Sequence, residues 1–235
     1  MVDRVAAMLE AVARSPRGLT LTELATAVDA PMSSAQGLVY GLDATGYLQR
    51  TGTRYRLGPA PYLLNLLVDA APTRLVREAD LEALHGETGL SVSLGICVGD
   101  FAYYVAKAGD TDSHLSFVSD RHLRRPKLRC SVGRALLALD EDRDVWAYLD
   151  TLPEQDRPLV PAFLSDLSAI RETGVAINPG LADNGMGGVA ISLTEPGGTP
   201  VAVAIAGMPA VISARKDELV ALLCERRHEW MRRIT

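Results

Sequence analysis

Ser33, Ser34, Gln36, Gly37 and Tyr40 crowd into residues 31–42, PMSSAQGLVYGL, and carry hydroxyl and amide groups but no charge. A glutamine amide sets a donor beside an acceptor, the pattern that pairs with adenine in the major groove. Serine and tyrosine hydroxyls reach a base edge or a phosphate. Arg50, Arg54 and Arg56 follow, and guanidinium groups suit phosphate or minor-groove contact, which adds affinity but little sequence information. A second group is Cys130-Ser131, ahead of an apolar run. It reads as a nucleophile of a small-molecule enzyme, yet Gly-x-Ser-x-Gly is absent and no histidine stands in a partner motif. His85, His114, His122 and His228 have no metal-ligand spacing, and the Gly185, Gly187, Gly188 cluster precedes a strand rather than a helix. No metal and no cofactor is therefore expected.

The elements that must position the first group are legible from periodicity. Ala35, Leu38, Val39 and Leu42 form an apolar stripe at helical spacing, with Ser34, Gln36, Gly37, Tyr40 and Gly41 left outward. Ser33 and Gln36 have capping-box spacing, which predicts a helix start near Ser33. Upstream, Val5, Met8, Leu9 and Val12 make one helical stripe. Thr20 with Glu23 caps a second, carrying Leu21, Leu24, Ala25 and Val28, that must stop by Pro31. Two helices across a short turn describe a helix-turn-helix. In GYLQRTGTRYRLG, alternation on both sides of Thr51-Gly52-Thr53 predicts a hairpin, with Arg54 and Arg56 on one face and Tyr55 and Leu57 on the other. The sum is a winged helix-turn-helix, a module that reads duplex DNA or, alternatively, docks another protein.

Charge does not exclude a nucleic acid. The chain of 235 residues carries net −5, but residues 1–60 hold six basic against five acidic side chains and the remainder 18 against 24. Acidity belongs to the second part. With 48% hydrophobic residues, no bilayer-length apolar run and no signal-peptide pattern, a cytoplasmic, globular, membrane-free protein is expected. Cys97, Cys130 and Cys224 are widely spaced and odd in number, so they read as buried small hydrophobes. Three segments follow: 1–58 as the winged helix, 59–72 as an apolar linker helix suited to dimerisation, and 73–235 as a second domain.

In that domain, a helix is expected over 73–88. Hairpins are expected at Gly99-Asp100 and around Glu195-Pro196-Gly197-Gly198, a strand at 114–120, and a terminal packing helix with Leu219, Leu222, Leu223 and Trp230 on one side. RHLRRPKLR, residues 121–129, is the densest basic cluster and reads as a solvated loop or a subunit contact, with an anion site as the sharper alternative. The fold class is α+β, an antiparallel sheet flanked by helices.

The run from VDRVAAMLEAVARSPRGLTLTELATAV through GLDATGYLQRTGTRYRLGP resembles the DNA-binding domain of the IclR family of bacterial transcriptional regulators. That resemblance implies a C-terminal effector-binding domain, a homodimer or tetramer formed through the linker helix and effector domain, and operator DNA as partner. The family's recognition helix usually carries a basic residue at Gly37 and often another at Tyr40, and these departures weaken phosphate anchoring. CSVGRALLALDEDRDVWAYL resembles the family segment whose loop and helix start wall the effector pocket, which points to Ser131, Val132 and Gly133. Asp183 aligns with the family's acidic residue, and Gly188, Ser192, Ala204 and Ala206 stand where Cys, Pro and two Ser residues are common. Fewer hydroxyls imply a more apolar, larger cavity and a small organic effector with an aromatic or aliphatic body, while the Gly-containing loop with free N–H groups at the helix start favours a carbonyl or carboxylate head. A constitutive regulator with a vestigial pocket, and an enzyme using Cys130 or Ser131, are the other readings.

Overall fold

A computed structural model describes residues 1–68, 73–109, 125–181 and 185–233. The chain divides into two compact units, Met1–Ala70 and Ala71–Thr235. Asp183, His114, His122, the 114–120 strand and residues 121–124 of the basic cluster lie outside the described residues.

The first unit contains α1 (Val2–Ala13), β1 (Leu19–Thr20), α2 (Leu21–Ala27), α3 (Met32–Ala44), β2 (Leu48–Thr51), β3 (Arg54–Leu57) and α4 (Ala60–Val68). Met8, Val12, Leu24, Ala25, Ala35, Val39, Leu42, Leu48 and Tyr55 form one buried cluster, each large member contributing about 1.5–3 kcal/mol of burial. The Thr20 capping box is made, with Glu23 N–H donating to Thr20 Oγ1 at 3.3 Å and Thr20 N–H to Glu23 Oε2 at 2.7 Å. The expected Ser33 box is not. α3 starts one residue earlier, behind Pro31, whose ring fixes the entry angle without a side-chain cap. Ser33 then falls inside the first turn, where a capping hydroxyl has no free N–H ahead of it. The three strands order β1-β3-β2, all antiparallel, and Gly18, at φ +72°, lets this edge close because a Cβ would lie 2.6 Å from the Tyr55 carbonyl oxygen. Of the two residues expected on the face opposite Arg54 and Arg56, Tyr55 is buried and Leu57 is exposed.

The second unit is a six-stranded antiparallel sheet in the order β6-β5-β4-β9-β8-β7. Its strands are β4 (Ser91–Val98), β5 (Phe101–Ala108), β6 (Arg125–Pro126), β7 (Val175–Asn178), β8 (Gly187–Leu193) and β9 (Val201–Gly207). Both expected hairpins are present, as β4–β5 and β8–β9. Helices α5 (Glu78–Thr88), α6 (Ser131–Leu137), α7 (Asp142–Asp150), α8 (Val160–Thr173), α9 (Pro209–Ala214) and α10 (Lys216–Met231) complete it. The expected 73–88 helix begins only at Glu78, because the preceding backbone is committed elsewhere: Leu75 N–H donates to Thr73 Oγ1 at 3.0 Å and Arg74 N–H to Glu195 Oε1 at 3.1 Å.

Strand alternation gives the sheet two unlike faces. Val92, Leu94, Val189, Ile191, Leu193, Val201, Val203 and Ile205 share one buried cluster with Leu81, Leu84, Leu219, Leu223 and Trp230 of α5 and α10. The opposite face is made of small residues, Ala190, Ala202 and Ala204 among them, and packs against α6 and Phe163 of α8. Every residue of α6 is buried. At Gly95 a Cβ would stand 2.7 Å from Val132 Cγ1, so the helix lies against bare backbone.

The ends of this unit are clasped by Arg233, which donates to both oxygens of Asp80, at 2.5 and 2.7 Å, and to the Leu75 carbonyl at 2.8 Å. Its guanidinium hydrogen bonds hold the Asp80 carboxyl below the usual carboxylate range, against a smaller opposing effect of burial. A depressed carboxylate pKa stabilises the fold above its unfolded value, about 3.9, and that contribution disappears as pH falls through the folded value. Arg233→Gln should therefore cost about 1–2 kcal/mol at pH 7. The gap from wild type should narrow as pH falls below the ordinary carboxylate range and through the depressed folded value, as thermal unfolding across a pH series would reveal.

Candidate functional site

In the first unit α3 buries Ala35, Val39 and Leu42 and turns the rest of its surface outward. Ser33, Ser34, Gly37, Tyr40 and Gly41 are exposed and Gln36 is half-buried. Gln36 Nε2 donates to Tyr40 Oη at 3.0 Å, so two of the expected reading side chains are joined on one face. Gly37 and Gly41 have no steric reason within the fold, since a Cβ at either would meet nothing within 4 Å. The expected wing arginines divide. Arg54 donates to the Gly18 carbonyl at 2.9 Å and to Glu23 at 3.2 Å, so it ties the wing to α2 instead of standing free for phosphate. Arg50 donates to the Gly52 carbonyl at the hairpin tip, 2.9 Å away, and Arg56 is exposed.

In the second unit a cavity of about 30 Å³ lies at one end of the small-residue face. It is lined by Ser93, Tyr104, Cys130, Ser131, Asn178, Met186, Gly187, Gly188, Ala204 and Ala206. Of the expected effector residues, Ser131, Gly188, Ala204 and Ala206 line it. Val132 and Gly133 do not: Val132 points onto Gly95, and Gly133 sits against the Lys127 backbone. Ser192 does not either, its hydroxyl being used on the Gly174 carbonyl at 3.3 Å. The expected larger cavity is also corrected, since about 30 Å³ is close to the room one water needs. Small side chains on the strands let α6 settle closer instead of leaving space.

Sequence reasoning missed Ser93, Tyr104, Asn178 and Met186. Alternation in β4 carried a signal for Ser93, which shares the face of Gly95. The Asn178 side chain is fully engaged, donating to the Arg129 carbonyl at 3.0 Å and accepting from Gly180 and Leu181 N–H at 3.2 and 2.8 Å. Cys130 caps α6 by accepting from Gly133 N–H at 3.3 Å, and a hydrogen bond joins its thiol to the Tyr104 hydroxyl. Burial pushes both groups up, Cys130 above the usual thiol range and Tyr104 well above the usual phenol range, and it pushes Cys97 up to about 12. These thiols are protonated at neutral pH, the opposite of an activated nucleophile.

The described part of the basic cluster turns inward rather than forming a solvated loop. Arg129 meets the buried Asp156 at 2.6 Å, while Lys127 lies 3.8 Å from Asp140 and 5.2 Å above the Tyr148 ring. A wider cleft of about 1140 Å³ runs between the β8–β9 hairpin and the end of α10, but it is open, and Arg227 on its wall is already bound to the Thr173 carbonyl at 2.7 Å. Among the described residues, no group of three His, Cys, Asp or Glu side chains is placed to hold a metal, and no helix is long and apolar enough to cross a membrane.

Comparison with known proteins agrees with this architecture. Residues 1–52 match the IclR helix-turn-helix domain, and residues 67–229 match the bacterial transcriptional regulator IclR C-terminal domain. The HTH-type transcriptional regulator TtgV of Pseudomonas putida is 28% identical over 183 residues, covering 75% of this chain and 69% of that protein. Similar folds include an IclR family regulator from Brucella abortus, with TM-score 0.79 and 17% identity over 100% of this chain and 92% of that one. Another is an IclR homologue from Microbacterium hydrocarbonoxydans complexed with 4-hydroxybenzoate, with TM-score 0.69 and 19% identity over 98% of each chain.

Glycine inside a helix costs about 1 kcal/mol relative to alanine, and nothing in the fold obstructs a methyl group at position 37. Gly37→Ala should therefore raise stability by up to about 1 kcal/mol, measured by chemical unfolding of the full chain. A loss of stability would mean that the fold itself requires the glycine.

Proposed function

The chain belongs to the IclR family of bacterial transcriptional regulators, and from that premise we propose that α3 reads operator DNA while the second unit binds a small organic effector that shifts operator affinity. The observation that carries the reading is the outward face of α3. It displays Ser33, Ser34, Gln36 and Tyr40 at the recognition position of a winged helix whose core uses none of them. Gln36 would pair with adenine, the two serines would complete the contact with Tyr40 hydrogen-bonded to Gln36 beside them, and Gly37 would admit the duplex closely. Arg50 and Arg56 would meet phosphates. Arg54, held by Glu23, would set the wing's position instead.

The cavity beneath α6 is the proposed effector site, with Ser131, Gly188, Ala204 and Ala206 in it. The Ser131 hydroxyl would donate to a carbonyl or carboxylate head. At about 30 Å³ the site takes an aromatic body only if a lining side chain withdraws, and Met186, unbranched and half-buried, is the one with most freedom to do so. Its small size also favours the second reading, a constitutive regulator whose pocket stays closed. Dimerisation would use α4, where Tyr62 and Leu67 are 67% and 72% exposed beside Leu63 and Leu64.

Fluorescence anisotropy with the DNA flanking the gene, across a salt series and against shuffled competitor, tests the first half. Gln36→Ala should reduce the preference for native over shuffled duplex about 5- to 100-fold with the salt slope unchanged. Equal binding of both duplexes by the wild type would sink operator reading.

A thermal-shift series with 4-hydroxybenzoate and related aromatic and aliphatic acids tests the second half. An effector should raise the unfolding midpoint by mass action, and Ala206→Leu, which fills the cavity, should abolish the shift. A flat response throughout would establish the constitutive reading.

A further inference from the structure

Resting on the reading that Gln36 contacts a base, we propose that Tyr40 is a positioning residue that fixes the edge Gln36 presents and thereby sets the preference for adenine. A free glutamine on a helix surface samples many rotamers and offers its amide in either orientation. Here Gln36 Nε2 donates to Tyr40 Oη at 3.0 Å, one helical turn further on. A primary amide has two N–H groups, and bidentate pairing with adenine uses the one on the same side as the carbonyl oxygen, which donates to N7 while the oxygen accepts from the N6 amino group. The other N–H is superfluous to the base, and it is the one a tyrosine oxygen can take without competing. With the nitrogen held toward Tyr40, the oxygen and the pairing N–H are directed outward together. Reversal of the amide would bring two acceptor oxygens face to face at the tyrosine unless its hydroxyl turned to donate.

The surroundings leave this pair little competition. α3 has no Lys or Arg, and its single charge, Asp43, accepts from the Arg50 backbone N–H at 3.2 Å. Gly37 and Gly41 put no side chain beside the pair. Tyr40 is 51% exposed, so its ring is not needed to fill the core and its hydroxyl is free to act through Gln36. Discrimination then comes from a pre-oriented amide, which loses less freedom on docking than a mobile one.

The test uses the full chain and duplexes selected from a random-sequence pool by the wild-type protein, each then varied one base pair at a time. The position whose preference vanishes in Gln36→Ala is the one Gln36 reads, and adenine is expected there. Tyr40→Phe keeps the ring and the fold, which thermal unfolding confirms. It should cut the adenine preference at that position about three- to tenfold, leave affinity for duplexes already changed there unaltered, and add nothing in a Gln36→Ala background. Equal weakening by Tyr40→Phe on every duplex, or an undiminished effect in the Gln36→Ala background, would overturn the positioning role and leave Gln36 as reader. Failure to select any sequence, or Gln36→Ala with every preference intact, would overturn base reading by Gln36 and this proposal with it.

Discussion

The second unit depends on how closely α6 can lie on its sheet, and that distance is set by side chains that are nearly absent. Gly95, Gly188, Ala190, Ala202 and Ala204 remove the bulk that would hold the helix off, and Val132 fills the hollow over Gly95. Close packing gains dispersion contacts, but it tolerates almost no change in volume. The same residues that admit the helix shrink the space at its N-terminal end to about one water. Whatever entered that space would have to displace a lining side chain.

Ion pairs finish what close packing begins. Arg134, almost wholly buried on α6, reaches Asp166 of α8 at 2.8 Å and lies over the Phe163 ring, while Arg129 reaches Asp156 just ahead of α8. Each buried charge has a partner on the layer outside α6, so the helix is fixed on both sides. Desolvation makes such pairs poor sources of net stability, but an unpaired member would cost far more, and that asymmetry enforces one arrangement. Among the described residues of the basic cluster, Lys127 and Arg129 are engaged inward.

The winged helix shows the complementary economy. Its core needs only the apolar stripes of α1, α2 and α3 together with Leu48 and Tyr55, which leaves α3's outer face without a structural task. Arg54 is taken by Glu23, a residue already used as a helix cap, so one carboxylate joins α2 to the wing. The outer face of α3 is neutral and hydrogen-bonding. On the proposed reading, affinity from charge would come from elsewhere than α3 and selectivity would be its main contribution.

Local chemistry was readable directly. The stripe of α3, the Thr20–Glu23 capping box and the hairpins at Gly52, Gly99 and Gly197 depend on neighbours a few residues apart, and periodicity records such neighbours. Membership of the family was also legible, because short motifs such as LTELATAV and GYLQRTGTRYRLG preserve that local pattern. The start of α5 was not, because Arg74 N–H is taken by Glu195, 121 positions away. Nor were the engagement of Arg54 by Gly18 and Glu23, the inward turn of Lys127 and Arg129, or the size of the cavity. Removing hydroxyls from β9 implies more space only if the opposing helix stands off, and here α6 packs directly on the sheet. The sequence by itself determined which surfaces are apolar and where the chain turns, since both follow from residue type and short spacing. Only the tertiary structure decided which polar groups are left over and how much room a ligand has, because both depend on distances between segments far apart in the chain.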